Sequence, residues 1–315
     1  MSTGELPTER GDPIVEATVV RPRVARLSIV IPAKNEAANL PKLLDELSLT
    51  LRTLPATRSE IIVVDDGSSD DTAAIALARG ARLVRHARSL GNGAAIKRGI
   101  REAAGDWILL MDGDGQHPPN VIPRLIARAA EHDMVVASRG GSGGSHARNL
   151  ANKVYNGLAS YVTSRRIPDL TSGFRLVRAD VLKGLVYLLP NTFSYPTTIT
   201  LAMLRAGYSV DFEPFQVRQR EGKSHIKLIE DGTRFLLIIM RITTIFAPLR
   251  VFVPLAAFMA AIGAGWYVWT YLTAGRFTNM SALLLSQATI VFVLGLISEQ
   301  VTALRYARID EGNRR

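Results

Sequence analysis

Cysteine is absent from all 315 residues. Neither a disulfide framework nor a thiolate metal site can therefore exist, which suits a cytoplasmic setting without requiring one. Residues Met1 to Arg26 contain Pro, Glu, Arg and Thr but no apolar run, so they do not read as a secretory signal. A disordered leader is expected over 1–26. Acidic residues are in the minority, 28 against 38 Lys and Arg, which leaves a net charge of +10. Nucleic acid, an anionic membrane surface or a phosphorylated substrate would each account for that excess. The aromatic-basic pattern of a nucleic-acid surface is missing, so no nucleic-acid partner is expected.

Charge itself is missing from two later stretches. Val251 to Thr273 has none, and Ala282 to Leu304 has only Glu299. Crossing a bilayer takes about 20 apolar residues, so both are long enough to span. The seven-residue link Ala274–Met280 predicts a transmembrane hairpin. It carries one base, Arg276, whereas the flanks carry many, among them Arg234, Arg241, Arg250, Arg305 and Arg308. The positive-inside rule then puts both flanks, a basic tail at 305–315 and the rest of the chain on the cytoplasmic face of the inner membrane. Trp266, Tyr267, Trp269 and Tyr271 fall at the far interface, where an aromatic belt belongs. The alternative is a helical pair buried in a soluble domain. Small residues along the first span (Ala260, Ala261, Gly263, Ala264, Gly265) predict a homo-oligomer. Before the hairpin, residues 227–250 read as an amphipathic helix lying in the interface, with Lys227, Arg234 and Arg241 on its polar side. A core helix of the globular domain is the alternative there.

Residues 27–226 alternate between two periods. Short apolar β-branched runs (Leu27–Pro32, Glu60–Asp66, Arg82–His86, Trp107–Met111, Met134–Ser138) are separated by stretches of helical spacing (Ala37–Leu54, Asp70–Arg79, Gly93–Ala104, Pro118–Glu131). This predicts an α/β domain with a mainly parallel sheet. In such sheets ligands bind beyond the carboxyl ends of the strands. Polar signatures sit at those ends: Lys34-Asn35-Glu36, Asp65-Asp66-Gly67-Ser68 and Asp112-Gly113-Asp114. Paired carboxylates such as Asp112 and Asp114 suit a hard divalent cation, Mg²⁺ or Mn²⁺, that keeps positions open for a substrate's phosphates. An EF-hand is excluded because Pro123 stands where its bidentate Glu belongs. Asp65 or Asp66 can accept from a ribose or a base. Asp70 and Asp71 read as helix caps. Glu36 either reads the nucleotide or favours a helix start. In Leu90–Gly99 the third position of a dinucleotide fingerprint is Ile96, so that fingerprint fails. A helix start near a diphosphate, with Lys97 close by, remains open.

In order, the chain reads IPAKNE, VVDDGSSDDT, GNGAAIKRG, DGDGQHPP, SGFR and REGKS. This series resembles the family 2 glycosyltransferases of GT-A fold, and most closely their polyprenyl-phosphate sugar transferases. The resemblance covers about residues 27–227, and the hairpin fits bacterial members. It implies that Pro32, Glu36 and Asp66 hold the nucleotide. It implies that Asp112, Asp114 and Gln116 bind the metal on the donor diphosphate. Arg139, Arg148, Arg220 and Ser224 match positions that face the acceptor phosphate, with Arg218 an alternative to Arg220. Asp169 and Arg175 would line the reacting centre. The motif of processive polysaccharide synthases, Q-x-x-R-W, is absent, which argues against polymerisation. The implied activity is metal-dependent, inverting transfer of a hexose from a UDP- or GDP-sugar to a polyprenyl phosphate. One rival is a membrane transferase with a non-phosphorylated acceptor, which would make Asp169 an indispensable base. The other is a decayed, membrane-anchored scaffold.

Overall fold

A computed structural model describes residues 24–54, 57–139, 153, 155–157, 159–161, 163–191, 194–216, 244 and 247–313. Residues 1–23 of the expected leader, Arg148, Arg218, Arg220, Ser224 and most of the 227–250 helix lie outside the described residues, whereas Val24 is buried and Arg26 opens the first strand, which corrects the leader's end.

The strands are β1 (Arg26–Ala33), β2 (Arg58–Asp65), β3 (Arg82–Arg85), β4 (Trp107–Leu110), β5 (Met134–Arg139), β6 (Arg175–Arg178) and β7 (Val210–Phe215). They form one sheet in the order β3-β2-β1-β4-β6-β5-β7. β3, β2, β1 and β4 are mutually parallel, and β7 is parallel to β5. β6 runs antiparallel to both its neighbours, β4 and β5. This turns the tip of the 169–174 turn back toward the carboxyl end of β4.

Side chains alternate across β1 as the pleat requires. Leu27, Ile29 and Ile31 pack on one face with Leu40, Leu43, Leu44 and Leu47 of α1 (Leu40–Arg52) and with Ile122 and Leu125 of α4 (Ile122–Ala129). Val30, with Ile62 and Val64 of β2, packs on the other face against Ala95, Ile96 and Ile100 of α3 (Asn92–Glu102). The α1 leucines recur at the spacing that lines one helix face, and burying each contributes about 2 kcal/mol. The second face is completed by α5 (Ala179–Leu185) and α6 (Tyr195–Arg205). The periodicity reading did not anticipate α6. Nine consecutive residues of it, Tyr195 to Met203, are buried, so it has no polar stripe to betray its period.

Strand order reverses on either side of β1, the switch point at which open α/β sheets form their crevice. The loops after β1 and β4 meet there, with Gly113 pressed against the Pro32 carbonyl.

Two long helices follow, α7 (Leu249–Ala274) and α8 (Asn279–Asn313). Each contains a 26-residue segment long and apolar enough to cross a membrane, with hydropathy 1.8 and 2.1. They pair as a hairpin through a link of only four residues, 275–278, because Gly275 ends α7 in the left-handed conformation. The link is thus shorter than the seven residues expected. Only 11% and 17% of the two apolar windows is buried, so a core helix pair is the wrong reading. Phe258, Trp266, Trp269, Leu272 and Ile297 are exposed on the hairpin. Gly263 nests against Leu284 and Leu285, and Gly295 against Phe252. Gly263 therefore serves contact within the hairpin, while Gly265 has nothing near it. The hairpin is fastened to the domain at its base. Arg205, ending α6, pairs with Glu299 at 2.6 Å, and Arg250 donates to the Tyr161 carbonyl.

Candidate active site

The loops after β1 and β2 are sewn together by backbone donors. The N–H groups of Asn35, Glu36 and Ala37 donate to Ser68 Oγ (2.9 Å), Thr72 Oγ1 (2.9 Å) and Asp70 Oδ2 (3.1 Å). Asp70 also accepts from the Thr72 N–H at 3.1 Å, a side-chain turn that leads into α2 (Thr72–Ala78). Asp71 holds the cap position but makes no cap bond. The Glu36 carboxylate accepts from the Asn39 side chain at 2.8 Å.

Asp65 and Asp66 are both buried. Asp65 accepts from the Ser68 N–H at 2.8 Å and pairs with Arg85 at 2.9 Å. Asp66 is bonded by His86 Nδ1 (2.7 Å), Ser89 Oγ (2.7 Å) and the N–H groups of Leu90 (2.8 Å) and Gly91 (2.9 Å). Burial opposes its ionisation, but the bonds from His86, Leu90, Ser89 and Gly91 prevail and bring its pKa down to about 2. The anion at the start of α3 is thus the chain's own carboxylate. The Gly93 N–H in turn donates to the Asn191 carbonyl at 3.1 Å. Lys97 Nζ donates to the Leu189 carbonyl at 3.2 Å. These contacts occupy the donors at this helix start, where a diphosphate was expected.

Asp112 and Asp114 emerge from β4 into the crevice, and both are half-buried. Asp114 accepts from the Gln116 N–H at 3.1 Å, which closes the turn. The sequence reading gave His117 no role. The structure buries it, stacked on Phe174 at 5.0 Å, with its Nδ1 accepting from the Asp112 N–H at 3.1 Å. Burial, only partly countered by Asp114, holds its pKa down to about 4, so the ring is neutral. With Nδ1 accepting, the proton is on Nε2, 3.8 Å from Asp112 Oδ2. The Gln-His-Pro-Pro run is the signal that could have found it, since a histidine so near a carboxylate pair often orients it.

Among the described residues no group of three or more His, Cys, Asp or Glu is placed to hold a metal. The donor set on offer is Asp112, Asp114 and Gln116. Two carboxylates and an amide oxygen are hard ligands that leave most of an octahedron to substrate oxygens, so they fit Mg²⁺ or Mn²⁺.

Asp169 is buried beneath Arg139. Nε and Nη2 of Arg139 donate to its two oxygens at 2.8 and 2.9 Å, and the N–H groups of Thr171 and Ser172 add bonds of 3.1 Å. Burial would raise its pKa, but Arg139 and the turn amides outweigh this and hold it below the ordinary carboxylate value. Arg175 is fully buried. Its guanidinium donates to the carbonyls of Ser172 and Pro196 and to Thr200 Oγ1. Burial lowers its pKa to about 10, which still leaves it charged. A group with no exposed surface does not line a reacting centre, so that expectation is corrected: Arg175 ties the 169–174 turn to α6.

The Glycosyl transferase family 2 model matches residues 28–186, about half of the chain, and the GtrB C-terminal hairpin model matches residues 247–304. The protein therefore belongs to glycosyl transferase family 2. The undecaprenyl-phosphate 4-deoxy-4-formamido-L-arabinose transferase of Klebsiella pneumoniae is 34% identical over 189 residues, which cover 55% of this chain and 58% of that one. The Proteus mirabilis protein of the same name is 29% identical over 249 residues, covering 76% and 74%. The chain thus spans less than three-fifths, 58%, of the length of the first relative. Among solved structures, glucosyl-3-phosphoglycerate synthase from Mycobacterium tuberculosis, in complex with Mn²⁺, UDP and phosphoglyceric acid, aligns with a TM-score of 0.56. It is 22% identical, and the alignment covers 70% of this chain and 78% of that one. At that identity the likeness establishes the GT-A fold alone.

Proposed function

We propose that this protein transfers a hexose from a nucleotide-diphosphate sugar to a polyprenyl phosphate at the cytoplasmic membrane face. The observation that carries the reading is the fastening of the apolar hairpin to the domain that bears Asp112 and Asp114. An enzyme so anchored meets its acceptor in the bilayer. The names of the curated relatives support undecaprenyl phosphate as the acceptor class. The Mn²⁺ and UDP bound by the solved neighbour support a cation on the donor diphosphate.

Asp112, Asp114 and Gln116 would hold that cation, which when bound offsets the negative charge growing on the departing nucleoside diphosphate. The neutral His117 fixes the backbone from which Asp112 projects. The acceptor is a phosphate monoester with a second pKa of about 6, so near neutrality it is largely a dianion. Such a nucleophile needs placement in line behind the anomeric carbon more than it needs a base. Asp169 is consistent with this, because it is ionised and engaged by Arg139. Arg139 stands at the mouth of the crevice, and Arg148, Arg218, Arg220 and Ser224 are the further candidates to hold the acceptor phosphate. In-line attack inverts the anomeric centre.

The test is incubation of the purified full chain with radiolabelled UDP- and GDP-sugars, undecaprenyl phosphate and Mg²⁺ or Mn²⁺. Label from one donor should enter the lipid fraction, and EDTA or Asp114→Ala should abolish this. Lipid labelling that persists in EDTA would remove the metal from the reading.

A further inference from the structure

Tyr195 opens α6 and is almost wholly buried, 1% exposed. Among the described residues its hydroxyl has no hydrogen-bond partner. A buried phenol usually finds one, and leaving the group unmet is destabilising. Phenylalanine would fill the same volume without that cost.

The hydroxyl is aimed at a small space above Gly173. A Cβ built on Gly173 would stand 3.1 Å from Tyr195 Oη, and 2.8 and 3.2 Å from the two carboxylate oxygens of Asp112. A side chain at position 173 would occupy the space that borders both the phenol and the Asp112 carboxylate. Arg175 keeps the arrangement in place, gripping the Ser172 carbonyl on one side and the Pro196 carbonyl, next to Tyr195, on the other.

We infer that Tyr195 is a positioning residue for Asp112: its hydroxyl donates to one carboxylate oxygen when the other oxygen turns to a divalent cation. A small rotation of the Asp112 side chain brings its oxygen within reach of the phenol. Fixing one oxygen selects the lone pair that the other presents, as outer partners do at carboxylate metal ligands. The inference rests on the proposed metal role of Asp112 and Asp114.

The experiment measures Mn²⁺ binding by electron paramagnetic resonance on the full chain in detergent, with UDP and in parallel with GDP. Wild type and Tyr195→Phe are compared, with melting temperature recorded for both. In Tyr195→Phe the Mn²⁺ Kd should rise about tenfold, the scale of one hydrogen bond to a charged group. Its melting temperature should stay level or increase, because an unmet donor has been removed. Gly173→Ala, which places a methyl group between the two oxygens, should weaken Mn²⁺ at least as much. Equal Kd in wild type and Tyr195→Phe overturns the inference while leaving the metal reading intact. A Tyr195→Phe protein that melts several degrees lower, or fails to fold, shows a packing role and also overturns it. Absence of Mn²⁺ binding by wild type with either nucleotide overturns the metal reading and the inference with it.

Discussion

Arg139 and Asp169 meet through two parallel contacts, Nε to Oδ2 at 2.8 Å and Nη2 to Oδ1 at 2.9 Å. A carboxylate held this way stays ionised and is a poor proton acceptor. Its pKa lies below the ordinary value, so it stabilises the fold above the usual carboxylate range, and this contribution is lost as pH falls through that range. Asp169→Asn should cost about 2 kcal/mol in denaturant unfolding at pH 7, with the difference from wild type shrinking in acid. Turnover should fall through loss of the turn's shape, and the wild-type rate profile should show no acid limb assignable to this group. Unchanged stability with complete loss of turnover would make Asp169 a base and favour the non-phosphorylated acceptor.

Asp66 titrates with the same sign. Its pKa of about 2 means its stabilisation is full above about 4 and disappears as pH falls toward 2. Asp66→Ala should therefore destabilise by about 2 kcal/mol at pH 7 and by about half as much at pH 3, as read from urea midpoints. Protease cleavage at 86–91 should accelerate, since three of the four donors to Asp66 lie in residues 89–91.

Gly295 and Gly265 offer a matched pair in the hairpin. A Cβ at Gly295 would stand 2.6 Å from Phe252 Cβ, whereas one at Gly265 meets nothing within 4 Å. Gly295→Val should lower the melting temperature in detergent by several degrees, and Gly265→Val should not. If a homo-oligomer forms through the small-residue face, Gly265→Val should shift the particle toward monomer on size exclusion, with melting unchanged.

Arg205 and Glu299 are both partly exposed, so their pair contributes about 0.2–1 kcal/mol. Its value lies in alignment of the hairpin with the domain. Arg205→Glu should slow lipid-dependent turnover several-fold while nucleotide affinity is retained, and adding Glu299→Arg should restore the rate. Failure of the charge swap to restore it would assign the loss to some other contact of Arg205.

Much of the fold was legible in the sequence because strands and helices carry different periods. β1, β2, β4 and β5 are continuous apolar runs, and α1 carries leucines on one face. The reversed direction of β6 was not legible, since four residues, RLVR, read alike in either direction. The paired carboxylates were legible from their place after a strand. The long-range partners of Asp66, Asp169 and Arg175 were not, because they come from residues 20 to 30 positions away, brought close only by the fold. His117 escaped because a single buried polar ring stacked on Phe174 leaves no periodic mark.

The most direct test of lipid-phosphate transfer sets two acceptors side by side, undecaprenyl phosphate and undecaprenol, with the active sugar nucleotide and Mn²⁺. The predicted result is a labelled lipid from the phosphate alone, from which mild acid releases free sugar and undecaprenyl phosphate. Equal labelling of undecaprenol, or a product that mild acid leaves intact, would contradict it.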